Sequence, residues 1–289
     1  MSFAHTVILG ALAGSTIFLG LPLARLKTLG VRGRVGLAMF AVGVLAFIFV
    51  DVLDHALAIV SGAVDGLRSG HHGHYGLADT VGLTVLLAGG FLAGSAGLAG
   101  VERRLRPVGP VAPPVAGGAT NVLGAARVEA LGAEAQAARS RALRRGVTIA
   151  VAIGLHNFAE GLAIGVSARA GAVSLATVLI IGFALHNATE GFGIVGPLGD
   201  VRPSWGWLGI IGLIAGGPTF VGSMVGYAVT SEPLELAFYA LAGGAILYVI
   251  GEVWHAMRRF GHRELGLYLL GMGFTVGVVT DMVVTYGGG

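Results

Sequence analysis

Apolar residues in this chain neither alternate nor form narrow stripes; they fill long runs separated by polar joints. Eight such runs can be drawn, at 3–24, 36–60, 78–100, 147–168, 173–196, 206–229, 235–257 and 265–286. Each is long enough, as a helix, to cross a hydrocarbon core of about 30 Å. A helix satisfies its own backbone inside a bilayer, whereas a barrel needs shorter, alternating strands. The pattern therefore predicts an all-α fold: one polytopic transmembrane bundle of eight helices over 1–289. The longest joint, about 101–146, divides three helices from five. Its first part, "RPVGPVAPPVAGG", has a disordered composition. Its second part, "ARVEALGAEAQAARSRALRR", predicts a short helix running into the fourth segment.

Composition agrees with the pattern. Charged residues make up 11% of the 289, hydrophobic residues 55%, and mean hydropathy is +0.83. Soluble domains carry about 25% charged residues. The 51 glycines suit close helix contacts, and small pairs recur at Gly10/Gly14, Gly222/Gly226 and Gly273/Gly277. With no cysteine, disulfides and thiolate ligands are excluded.

The net charge of +3 is a matter of sidedness rather than of nucleic-acid binding. Arg25, Lys27, Arg32 and Arg34 follow the first segment, and eight arginines lie from Arg103 to Arg145. Arg202, Arg258, Arg259 and Arg263 follow the fifth and seventh segments. Only Arg68 and Arg169 fall on the other side. The basic side is cytoplasmic by the positive-inside rule, which leaves both termini extracytoplasmic in a plasma (inner) membrane. The opening "MSFAHTVILG" has no basic start, so the first segment reads as an N-out anchor rather than a cleaved signal.

Ionisable residues at membrane depth are costly and gather where they face a cavity, a partner or an ion path. The fourth segment holds "LHNFAEG" and the fifth "LHNATEG". In each, His and Glu stand four apart on one helix face. A very short joint makes the two segments antiparallel neighbours, so His156, Asn157, Glu160, His186, Asn187 and Glu190 converge at one depth. They form a set of N and O ligands suited to a divalent transition metal, or hydrogen-bonding glue between helices. The doubling and the cost of buried carboxylates favour ligands. Gly161 and Gly191 would let a helix or an ion approach the backbone.

Further sets flank this one. Glu252 and His255 suit an inner station for a metal or proton, or an interfacial pair solvated at a helix end. Asp51, Asp54 and His55, at i, i+3 and i+4, suit an outer station, a proton relay or an external capping network. His71, His72 and His74 lie together in an external joint and can collect metal weakly. Asp281 reads as an anchor near the end of the eighth segment.

The "LHNFAEGLAIG" and "LHNATEGFGI" stretches resemble the fourth- and fifth-helix signatures of the ZIP (Zrt/Irt-like) divalent-metal transporters, bacterial type. The eight segments, the long cytoplasmic joint and "ALAGGAILYVIGEVWH" match as well. The resemblance implies a 3+2+3 helix arrangement, a central site of one or two metals on the two motifs, and import into the cytoplasm. It also implies movement of the helix group that holds the site against a more static group. The cargo implied is a divalent ion, Zn²⁺ first, with Fe²⁺, Mn²⁺ and Cd²⁺ as alternatives. Partners are then the lipid bilayer and the ions, with a homodimer compatible and nucleic acid excluded. Two departures stand out. Ala159 and Thr189 replace the motif proline, and Gly217 precedes Pro218 where the family often has Glu. One high-occupancy metal or an altered ion preference follows. The transporter reading makes the chain no enzyme. The ligand set alone also admits a metal-dependent intramembrane hydrolase, although the spacing is not His-Glu-x-x-His, or a non-transporting metal-binding membrane protein.

Overall fold

The computed structural model describes residues 1–26, 30–68, 75–105, 120–169, 187–228 and 231–286. Among them all regular structure is helical. The helices are α1 (Phe3–Ser15), α2 (Ile17–Gly20), α3 (Val31–Arg68), α4 (Leu77–Leu105), α5 (Thr120–Arg169), α6 (187–195), α7 (Trp205–Ala228), α8 (Glu232–Arg258) and α9 (Arg263–Tyr286). Seven spans among the described residues are long and apolar enough to cross a membrane. The fifth predicted segment is described only from 187 onward, and His71, His72, His74 and His186 lie outside the described residues.

Two boundaries differ from the sequence expectation. The helix expected before the fourth segment and the segment itself are one 50-residue helix, α5. At 1.5 Å per residue it is about 75 Å long, so its arginine-rich first half projects well beyond a bilayer. The first segment, expected as a single helix, is interrupted. Both the hydroxyl and the N–H of Thr16 donate to the Ala13 carbonyl, at 2.6 and 3.3 Å. The chain restarts as α2 and ends in a 3₁₀ turn over Leu21–Arg25. A threonine that bonds back to the preceding turn competes with the helical ladder, which explains the break.

Packing sorts the helices into two groups. α5 packs most extensively on α7, and α1 lies along α7; α3 packs on α9 and α8, and α4 on α8; α5 also packs on α8, across the two groups. One apolar core, including Leu45, Ile48, Ile153, Ile194, Ile211 and Ile246, joins the groups. Outward faces of α4 and α9 stay apolar and exposed, through Val85, Leu92, Val279 and Met282, as lipid-facing helices require. At one end Arg34, Arg139 and Arg202 line a common cavity of about 620 Å³, so three of the basic joints share a side. At the other end the Tyr75 hydroxyl donates to Glu232 and ties α4 to α8. That carboxylate holds the phenol above its ordinary pKa.

Glycine makes the close approaches possible. Gly14 and Gly216 back onto each other's carbonyls, and Gly273 backs onto the carbonyl of Phe40 across the α3–α9 seam. In lipid such backbone contact replaces the hydrophobic drive that holds soluble helices together. Gly271, two residues away, faces open space. Gly273→Ala is therefore expected to destabilise by about 1–3 kcal/mol, the usual cost of overpacking. Gly271→Ala is expected to be neutral or to stabilise by up to about 1 kcal/mol through helix propensity. Thermal unfolding of the two variants in detergent makes the comparison; equal Tm values would refute the close α3–α9 seam.

Candidate metal-binding site

α5 and α6 meet at the duplicated motif. His156 and Glu160, one turn apart on α5, lie with Nε2 and Oε1 2.9 Å from each other. The same Nε2 is 3.8 Å from Oε1 of Glu190 on α6. One imidazole nitrogen is thus the focus of two carboxylates from two helices. His156 and Glu190 are each only 1% exposed. Two negative groups held this close out of water demand positive charge between them, as protons or as a cation. His186 lies outside the described residues. Among the described residues no three His, Asp or Glu side chains are arranged to hold a metal ion by themselves.

The two asparagines have a different task on their amide side. Asn157 Nδ2 donates to the Ala215 carbonyl of α7 at 3.0 Å, and Asn187 Nδ2 donates to the Ala13 carbonyl of α1 at 3.0 Å. Both are fully buried. Each Oδ1 has no hydrogen-bond partner among the described residues. The amide therefore fixes the helix while the carbonyl oxygen stays able to accept a cation.

These two contacts are copies of one arrangement. Gly161, four residues after Asn157, seats on the carbonyl of Thr219, four after Ala215. Gly191, four after Asn187, seats on the carbonyl of Ile17, four after Ala13. In return Gly222 and Gly20 seat on the carbonyls of Phe158 and Ala188. The receiving helices read "AGSTIFLG" from Ala13 and "AGGPTFVG" from Ala215, a shared A-G-x-x-x-F-x-G. Thr16 and Pro218 occupy the same place in it. Pro218 lacks the N–H that would bond the Ile214 carbonyl, and Thr16 marks the break after α1. Sequence reading found the motif on α5 and α6 and missed its partner on α1 and α7, although the repeat was there to see. It also passed over Thr219, whose fully buried hydroxyl has no hydrogen-bond partner among the described residues.

The flanking predictions separate. Asp51, on α3, lies within electrostatic reach of His156, Glu160 and Asp281. His55 donates through Nδ1 to the Asp51 main-chain oxygen at 2.9 Å, with Asp51 Oδ1 3.7 Å away. Its ring lies against Tyr239, centroids 5.6 Å apart. Asp54 shares neither contact and is exposed. Asp281 is exposed too. At the basic end, Glu252 accepts from Arg145 Nε at 3.2 Å, an ion pair between α8 and α5. His255 is exposed, so the structure does not bring it to Glu252 as one station.

The chain is similar in sequence to known proteins. The sequence profile of the family described as "ZIP Zinc transporter" matches residues 125–250, a stretch that includes both motifs and α7. A "Zinc transporter ZupT" from Corynebacterium efficiens is 30% identical over 265 residues, covering 88% of this chain and 87% of that protein. A second "Zinc transporter ZupT", from Clostridium perfringens, is 34% identical over 147 residues, covering 48% of this chain and 50% of its own.

The asparagine contacts generate a test separate from metal chemistry. Asn157→Ala and Asn187→Ala are each expected to lower the stability of metal-free protein by about 0.5–1.5 kcal/mol, the net worth of one intramolecular hydrogen bond. Chemical or thermal unfolding after chelation reads this; unchanged stability would assign the amides to metal alone.

Proposed function

The chain belongs to the ZIP zinc transporter family, and on that premise we propose that it carries Zn²⁺ across the plasma (inner) membrane, into the cytoplasm, through the site between α5 and α6. Divalent metal transport follows from the family; the route is our reading of the residues. The observation that carries the reading is the convergence of Glu160 and Glu190 on His156 Nε2 in a buried seam. A cation there takes the imidazole lone pair and one oxygen from each carboxylate. The Oδ1 atoms of Asn157 and Asn187 add to the set, and the motif offers His186 as a further donor. Mixed imidazole and carboxylate donors suit Zn²⁺, and Fe²⁺, Mn²⁺ or Cd²⁺ would find the same ligands. We assign the chain no catalytic residue.

The surroundings support a path. Asp51, backed by His55, offers an outer carboxylate near the centre, with both termini extracytoplasmic. Toward the basic end, Glu252 is held by Arg145, so an ion leaving that way meets a carboxylate that must exchange its guanidinium for the metal. The helix grouping suits a unit of α1, α5, α6 and α7 that moves against α3, α4, α8 and α9.

Uptake by purified protein in liposomes loaded with a Zn²⁺ indicator tests the assignment. Glu160→Ala, Glu190→Ala and His186→Ala are each expected to reduce initial uptake by about 10-fold or more, at least the cost of losing a metal's supporting contact. Wild-type rates in these variants would sink the site. Gly217 provides a second test, because a side chain there meets nothing within 4 Å. Gly217→Glu is expected to fold and to bind more metal per chain at equilibrium than the wild type, measured by elemental analysis after dialysis. Unchanged stoichiometry would mean that position 217 does not face the site.

A further inference from the structure

A second cavity, of about 540 Å³, lies at the basic end of the bundle, far along the chain from the metal ligands. Its walls come from the start of α3 (Val35, Met39), the end of α8 (Trp254, Met257, Arg258) and the turn into α9 (His262, Arg263, Leu267). The lining contains three basic side chains and no acidic one. Arg258 and Arg263 are exposed and make no ion pair among the described residues. Arg145 and Arg34, by contrast, are paired with Glu252 and Asp200. The α8–α9 turn presents these groups through two consecutive left-handed residues, Gly261 at φ 72° and His262 at φ 57°. For histidine that conformation is uncommon. The rest of the cavity is apolar: Val35 and Met39 form its floor, and Trp254 and Leu267 are 37% and 45% exposed on its rim.

This combination identifies an occupant. Unpaired guanidinium groups bind phosphate oxygens. A tryptophan at a helix end beside apolar side chains marks headgroup level in a bilayer. A soluble anion would use the arginines and gain nothing from Met39, Leu267 and Trp254. A phospholipid uses both: phosphate on the arginines, acyl chain along the apolar wall. We propose that the cleft between α3, α8 and α9 is a binding site for an anionic phospholipid. It lies in the α3, α4, α8 and α9 group and does not involve the residues proposed to bind metal, so it stands whether or not they carry ions.

Trp254 supplies the probe. In a Trp205→Phe/Trp207→Phe background it is the remaining tryptophan of the three in the chain. The protein is reconstituted in phosphatidylcholine vesicles containing a small, equal fraction of brominated phosphatidylglycerol or brominated phosphatidylcholine. Brominated phosphatidylglycerol is expected to quench Trp254 more strongly. Arg258→Gln/Arg263→Gln is expected to weaken that preference by about 30-fold, the loss of two cations at about 1 kcal/mol each near an anionic surface. Equal quenching by the two lipids in the parent protein would overturn the proposal, and that comparison does not depend on the double variant folding. So would a preference that survives the double substitution in folded protein. Abolition of the preference by millimolar inorganic phosphate would overturn it in favour of a free-phosphate site.

Discussion

Two hydrogen bonds, from Asn157 to the Ala215 carbonyl and from Asn187 to the Ala13 carbonyl, hold the central helices in register. A side-chain bond to a main-chain acceptor is worth little in water. Inside a bundle in lipid it fixes where one helix stops sliding along another, because the buried amide would otherwise lack an acceptor. Each bond falls where the receiving helix is irregular, after Thr16 in one case and beside Pro218 in the other. The glycine four residues on then closes the same seam. With α5 fixed to α7 and α6 fixed to α1, and Gly14 against Gly216 between those pairs, the faces bearing His156, Glu160 and Glu190 have one way to meet.

That register gives the buried charges their meaning. Scattered carboxylates in a membrane would protonate or pull in water. Held on two locked helices around a single nitrogen, they cannot separate to relieve their repulsion, so they call for positive charge between them, as protons or as a cation. The glycine after each glutamate belongs to the docking seam rather than to the ligand shell. Among the described residues the repeated phrase therefore divides its labour: His156, Glu160 and Glu190 meet one another, Gly161 and Gly191 seat on the neighbouring helix, and each Asn bonds that helix.

Much of this was legible before any coordinates. The length and purity of the apolar runs set the helical bundle, and His-Asn-x-x-Glu-Gly written twice singled out His156, Glu160 and Glu190, which α5 and α6 bring together. What sequence reading missed shares a cause: it depended on which partner a residue found. Glu252 and His255 stand three apart, which puts them near one face, yet Arg145 takes the first and leaves the second exposed. Asp51, Asp54 and His55 likewise share a face by spacing, while the bend of His55 back to its own helix and the position of α8 leave Asp54 outside. The α1–α7 repeat was missed for another reason. It is written in alanine, glycine and phenylalanine, residues that carry no chemistry and are common in a chain with 51 glycines. Only contact gives them significance.

Charge balance also bears on how many ions the centre holds. Glu160 and Glu190 contribute two negative charges, which one divalent cation neutralises; neutral imidazoles and amides add donors without changing the sum. A second cation would leave an excess of two positive charges in a region of low dielectric, where uncompensated charge is most costly. Asp51 on α3 is a further carboxylate with an electrostatic link to His156 and Glu160. In the α1–α7 repeat, Gly217 is the counterpart of Ser15. Neither side of the pseudo-repeat thus supplies a third acid. On the proposed reading, charge balance favours a single ion at the two glutamates over a resident pair.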